Sequence, residues 1–246
     1  MGDAVDHLAG LDGGLLLGID TCGPTGSVAL GRFSGESIEI AGEIELEGRS
    51  YSATLVAAVR ELLGGAGMGL KDVAAIVAVN GPGSFTGVRV GLSAVKGLAE
   101  GAGTRTGGIP VTAVSRLEVL AAKAGVGSAA LDAHRHEVFL RLGNTGGVMR
   151  ELLAGAEELA GIEAPDAIAV CDESAGAFLL AVWPGTELVK STAPTAVDAL
   201  RLCAGSVAAG RFVDLALLDG HYLRRSDAEV LFGKGGSESA MGSRGA

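Results

Sequence analysis

The segment Gly81-Pro82-Gly83-Ser84-Phe85-Thr86-Gly87 holds the residue types that can cradle an anion. Glycines allow a backbone to turn tightly at the end of a strand, and the first turn of the following helix offers N–H groups without partners inside the helix. Neither Gly81 nor Gly83 leads into the Lys-Ser/Thr pair of a P-loop, and the sixth position from Gly81 is Thr86 where a dinucleotide fingerprint needs glycine. Two readings stand: a phosphate loop using Gly81, Gly83 and Ser84 together with Asp20 and Thr21, or a tight strand-to-helix corner. Metal chemistry would call on His134 and His136, which on a strand point to one face with Asp132 in line as a third ligand. The more ordinary reading is a solvated strand edge. The remaining histidines are His7 and His221, and no pair lies four apart on a helical spacing. Cys22, Cys171 and Cys203 are far apart and form no C-x-x-C pair, so they read as buried thiols. No G-x-S-x-G elbow is present to anchor a serine hydrolase.

These residues need a frame, and the hydropathy pattern supplies one. Leu15 to Asp20 reads as a buried strand, Gly23-Pro24-Thr25-Gly26 as its turn, and Ser27 to Gly31 as the second arm of a hairpin. Asp20 can serve that hairpin by capping its own turn. Ser37 to Glu45 alternates isoleucine with acidic residues, as an edge strand does. From Tyr51 the period becomes helical, with Leu55, Val56, Val59, Leu62 and Leu63 on an apolar face, Ser50 or Ser52 as cap and Gly64-Gly65 as stop. Ala74 to Val79 is an unbroken apolar run suited to a strand covered on both faces. The second half repeats the order of elements: a short strand or connection from Gly108 to Val111, a helix Leu117 to Ala124 capped by Ser115, strands at Ala129 to Asp132 and Val138 to Leu142, a short helix Glu157 to Ala160, a strand Ala167 to Cys171 and a helix Val197 to Ala209. The expected organisation is a flexible segment 1–12, a first subdomain 13–107, a second subdomain 108–232 and a disordered tail 233–246.

The helix after the glycine loop carries Gly87, Gly91, Ala94 and Leu98 on one stripe. Each interior glycine costs a helix about 1 kcal/mol relative to alanine, so a close neighbour should offset it. Either a partner helix lies along the stripe or the chain itself packs there, while Val88, Leu92 and Val95 bury against the sheet. The chain has 246 residues, of which 48% are apolar, enough for one large or two small cores. A formal net charge of -10 argues against this chain alone gripping a nucleic-acid backbone. The first twelve residues lack a basic and apolar leader pattern, and no apolar run approaches the ~18 residues of a membrane span, so a soluble cytoplasmic chain is expected.

The chain resembles the bacterial TsaB family, also called YeaZ, over almost its whole length. The resemblance rests on Gly18-Ile19-Asp20-Thr21 with its hairpin, on Gly81 to Leu92, on Pro110 to Glu118, on Leu131-Asp132-Ala133 followed by Glu137-Val138-Phe139, and on Tyr222-Leu223-Arg224-Arg225-Ser226. It implies an α/β fold of two subdomains, the duplicated actin and sugar-kinase-like (ribonuclease H-like) type. It implies a non-catalytic partner of TsaD in placing threonylcarbamoyl groups on the adenosine beside the anticodon of tRNAs, with the ATPase TsaE completing the system. The family pairs through helices matching Ser52 to Leu63 and Ser84 to Ala99, as a heterodimer with TsaD or as a homodimer when alone. The partner-binding residues expected on that basis are Tyr51, Leu55, Val59, Leu62, Gly87, Gly91, Ala94 and Leu98. No cofactor is required, ATP or ADP could lodge at the complex interface, and tRNA contact is indirect, with no membrane involved. Two departures stand out: Tyr51 where relatives often carry His, and His134-Arg135-His136 in a segment that usually bears a different pair, which leaves local metal affinity open. The rival function is a nucleotide-dependent, kinase-like enzyme using Asp20 and the Gly81 to Gly83 loop. It is disfavoured by Cys22-Gly23-Pro24, which supplies no Lys or second carboxylate.

Overall fold

The apolar runs become the central strands of two sheets in a computed structural model that describes residues 13–34, 37–48, 50–102, 108–143 and 149–224. The expected flexible segment 1–12, His7, the tail 233–246 and the end of the Tyr222 motif (Arg225 and Ser226) lie outside the described residues. The first sheet contains β1 (Leu15–Asp20), β2 (Thr25–Ser34), β3 (Ser37–Glu47), β4 (Val73–Val79) and β5 (Val111–Val114), in the order β3-β2-β1-β4-β5. β1, β2 and β3 pair antiparallel, while β4 pairs parallel with β1 and β5 parallel with β4. The second sheet contains β6 (Ala129–Asp132), β7 (Val138–Gly143), β8 (Met149–Ala154), β9 (Ala167–Val170) and β10 (Glu187–Lys190), in the order β10-β9-β6-β7-β8. Its pairings repeat those of the first, antiparallel for β6, β7 and β8 and parallel for β9 and β10. The duplicated, two-subdomain α/β fold expected from the order of elements is therefore what the chain adopts.

Helices fill the same slots in each half. α1 (Tyr51–Gly65) and α2 (Phe85–Gly101) follow β3 and β4, whereas α4 (Ala156–Ala160) and α5 (Glu173–Val182) follow β8 and β9. α3 (Arg116–Ala124) and α6 (Ala196–Ala208) close the halves after β5 and β10, and each of them crosses over. Ala199, Leu200, Cys203 and Val207 of α6 pack into the first core with β1, β2 and β4. Leu117 and Leu120 of α3 pack with Ala129, Leu131 and Phe139 of the second sheet. With α1 and α2 on one face and α6 on the other, β1 is buried at every residue, which explains its unbroken apolar run.

This exchange corrects the expected division at 107/108. β5 completes the first sheet by parallel pairing with β4, and α6 belongs to the first core although it starts about 90 residues beyond that point in the chain. A helix pattern reveals that an apolar face exists and not which sheet it will cover. Three elements are additional to the sequence expectation: β8, α5 and β10. The segment after α6 then straps the halves together. The Val213 amide donates to the Val111 carbonyl at 2.8 Å and the His221 amide to the Asn80 carbonyl at 2.7 Å. Beyond them, Arg224 pairs with Glu137 of the second half.

Candidate functional site

The residues expected to bind nucleotide do come together, at the junction where β1, the β4–α2 loop and α3 meet. There they are engaged by neighbouring residues of the same chain. Asp20 Oδ1 accepts from the Cys22 amide at 2.8 Å, so the carboxylate caps its own turn. Its Oδ2 lies 3.3 Å from Arg116 Nε, and both side chains are buried, with relative exposures of 6% and 1% for Arg116 and Asp20. Burial opposes the Arg116 charge, but the Asp20 carboxylate, its hydrogen bond and the nearby Cys22 and Cys171 together raise the guanidinium further above its ordinary value. Thr21 Oγ1 donates to the Gly87 carbonyl at 2.7 Å. The Ser84 amide donates to the Cys22 carbonyl at 2.8 Å, and Ser84 Oγ accepts from the Gly87 amide at 3.3 Å as the cap of α2. Gly81, at φ 113, hands its carbonyl to the Arg116 amide at 2.6 Å, and a Cβ on Gly83 would overlap the Cys22 carbonyl. Tyr51 closes the junction by donating its hydroxyl to the Gly23 carbonyl at 2.8 Å. Burial, helped by the Asp20 charge, pushes the phenol up to about 12. Burial also pushes the Cys22 thiol well above its ordinary value, so it stays protonated as it donates to the Val79 carbonyl.

Among the described residues nothing covers the other face of the same helix pair. Of the eight expected partner-binding residues, Tyr51, Leu55, Val59, Gly87 and Gly91 are buried in the chain's own core, and Leu62, Ala94 and Leu98 are half-buried. The two glycines are required by the junction: a Cβ at Gly87 would overlap the Thr21 carbonyl oxygen, and one at Gly91 the Thr21 hydroxyl. The small stripe therefore admits the end of β1, which settles the alternative left open by the spacing in favour of internal packing for these two residues. Outside it, a groove of about 340 Å³ runs between the first two turns of α1 and the second and third turns of α2. Its walls are mainly Leu55, Val56, Val90 and Ala94, with Arg89 at its edge. Val56 is 47% exposed and Phe85, at the start of α2, 39%.

Ser52, Val56, Arg89, Val90 and Ser93 are the groove residues that the expected partner-binding set missed. The signal was present in α2. Val88, Leu92, Val95 and Ala99 supply one buried face, as expected, while Val90, Ala94 and Leu98 form a second apolar line that remains half-exposed. A helix with two apolar lines has one more than its own sheet uses.

The histidine expectation is corrected. His134, Arg135 and His136 do not lie on a strand but form a left-handed turn between β6 and β7, with φ of 59, 57 and 60. His134 Nδ1 stands 3.1 Å from Asp132 Oδ2. Among the described residues no group of three His, Cys, Asp or Glu side chains comes together as metal ligands. His221 instead joins a cluster between the halves. Glu151 of β8 accepts from Arg141 Nη1 at 2.6 Å through Oε1 and from Ser115 Oγ at 2.7 Å through Oε2, and His221 Nε2 lies 2.8 Å from that same Oε2. Burial pushes the Glu151 carboxyl up, but contacts from His221, Ser115 and Arg141 together hold it below its ordinary value. Among the described residues no helix is long and apolar enough to cross a membrane.

Comparison with known proteins places this arrangement. The family described as TsaD, tRNA N6-adenosine threonylcarbamoyltransferase, matches residues 45–214. A Bacillus subtilis protein described as tRNA threonylcarbamoyladenosine biosynthesis protein TsaB is 38% identical over 131 residues, covering 52% of this chain and 54% of that protein. A Haemophilus influenzae protein of the same description is 38% identical over 130 residues, covering 50% and 51%. The matched stretch thus spans about half the length of these curated relatives. A crystal structure from Pseudomonas aeruginosa, of a protein described as similar to peptidase YeaZ, superposes with a TM-score of 0.69 at 31% identity, covering 86% of this chain and 100% of that one.

Proposed function

This chain belongs to the TsaB (YeaZ) family within the TsaD-type fold, and from that premise we propose that it is a non-catalytic subunit supporting threonylcarbamoylation of tRNA adenosines. It docks through the outer α1/α2 face onto a catalytic subunit of the TsaD type. The observation that carries the reading is the open apolar groove with Val56 47% exposed, in a helix pair whose inner face is fully occupied by the chain's own junction. Exposed apolar area of this kind is a cost in water unless a second surface covers it. A second copy of the chain would cover the same face in the isolated protein. The closed junction supports the non-catalytic part, because both oxygens of Asp20 are already engaged, by the Cys22 amide and by Arg116. A kinase-like reading would need that carboxylate free. TsaE acts on the assembled complex, ATP or ADP binds where the subunits meet, and tRNA is held by the partner in a cytoplasmic assembly, consistent with the acidic charge of this chain.

The test is threonylcarbamoyl transfer to tRNA by the catalytic subunit with and without this chain. The account expects transfer only with both present, and loss of the stimulation in Val56→Asp at unchanged folding. Transfer by this chain alone would overturn it.

A further inference from the structure

The groove carries a cation at one end, held in a way that surface arginines are not. Arg89 Cζ sits 3.6 Å above the Phe85 ring and 5.8 Å from the Tyr222 ring, and the two rings are 5.2 Å apart. Arg89 Nε lies 3.3 Å from the Tyr222 hydroxyl, which accepts its hydrogen. The side chain is thus flanked by two aromatic faces, one from α2 and one from the strap that crosses the halves. A cation over aromatic rings is attracted to them, and the planar fork is fixed with less loss of rotamer freedom. Among the described residues Arg89 has no carboxylate within ion-pair distance, and its hydrogen bond to Tyr222 is made by Nε.

We propose that Arg89 receives a carboxylate from the partner, so that the occupant of the groove is an amphipathic helix with an apolar stripe and an Asp or Glu at the end lying over Arg89. This deepens the docking reading above and rests on it. Charge complementarity selects that occupant. The fork fits a carboxylate in bidentate fashion. The walls beyond Arg89 are apolar along Leu55, Val56, Val90 and Ala94, which suits aliphatic side chains and not a sugar-phosphate backbone. An arginine flanked by aromatics at the edge of an apolar cleft is the composition in which binding energy concentrates. In a chain of net charge -10 this cation runs against the overall sign, so it sets the partner's register at one end of the groove.

The test measures the dissociation constant between the full-length chain and the TsaD-type subunit of the same organism by calorimetry, at low and at moderate salt. Proteins compared are the wild type, Arg89→Gln, Arg89→Lys and Val56→Asp, with thermal midpoints of each free chain as the folding control. The proposal expects Arg89→Gln to weaken binding about 30-fold or more and to flatten its salt dependence, with Arg89→Lys recovering only part. An Arg89→Glu chain should regain affinity for a partner in which the facing acid is reversed to Arg. If Val56→Asp abolishes binding while Arg89→Gln stays within about threefold of wild type, docking stands and the carboxylate contact is refuted. If neither substitution weakens binding, the docking reading fails and this proposal with it.

Discussion

The two halves of the chain share one strand order and one pattern of pairing, yet the helices in matching slots differ sharply. α1 and α2 run for 15 and 17 residues, whereas α4 and α5 run for 5 and 10. The ends of the first strands differ in a similar way. Asp20 and Asp132 each close β1 and β6, and each accepts a hydrogen bond from the amide two residues on, at 2.8 Å in both cases. Asp20 then meets the buried Arg116, while Asp132 meets His134, whose side chain is 85% exposed. A duplicated frame thus carries a sealed junction and an extended helix face in one half only. The lesson is that the repeated part specifies the fold, and the departures from repetition coincide with the face proposed for docking.

Breaking the matched aspartates should give the largest contrast. Asp20→Ala leaves Arg116 buried without its counter-charge and should cost about 3–5 kcal/mol, with most of it recovered by adding Arg116→Met. Asp132→Ala, at an exposed pair, should cost no more than about 1 kcal/mol. Urea denaturation of the three variants checks this. The helix faces come next. Val56→Asp should weaken partner binding by about 100-fold at an unchanged thermal midpoint. Leu180→Asp in α5, at a residue 43% exposed on the matching helix of the second half, should leave binding unaltered.

The glycines sharpen the comparison further. Gly91→Leu should destabilise the free chain by about 1–3 kcal/mol or more, since the added atoms overlap Thr21. Gly176→Ala in α5 should stay within about 1 kcal/mol of wild type, because the added Cβ meets the mobile end of Leu188 at 3.3 Å. Differential scanning calorimetry separates the two. The smallest effect is in pH dependence. The Glu151 carboxyl lies below its ordinary value of 4.5 in the folded chain, so the stability it contributes is complete above that value. It is lost as pH falls through the lowered folded value. Glu151→Gln should remove that acid-side leg from a plot of stability against pH.

Much of the frame was legible in the residues. The buried runs Leu15 to Asp20 and Ala74 to Val79, the cap Ser115 and the edge position of β3 follow from local pattern alone. β8 and β10 were not, because Met149 to Ala154 and Glu187 to Lys190 mix charged and apolar residues without clean alternation in short spans. α5 hid for a different reason: Glu173 to Val182 holds a glycine and almost no polar residue to mark a solvent face. The site was half legible. Helical spacing found the small stripe on α2 but could not tell inward from outward, since what decides it is Thr21, 66 residues away at its bond to Gly87. The Asp20–Arg116 pair, 96 residues apart, leaves no local trace at all.

The central claim is that the outer α1/α2 face is the surface by which this chain works. Sedimentation of the chain mixed with its cognate TsaD-type subunit tests it most directly. The account predicts a 1:1 complex with the wild-type chain and separate species with Val56→Asp, the variant remaining folded. A complex of the same mass and stability with Val56→Asp would contradict it.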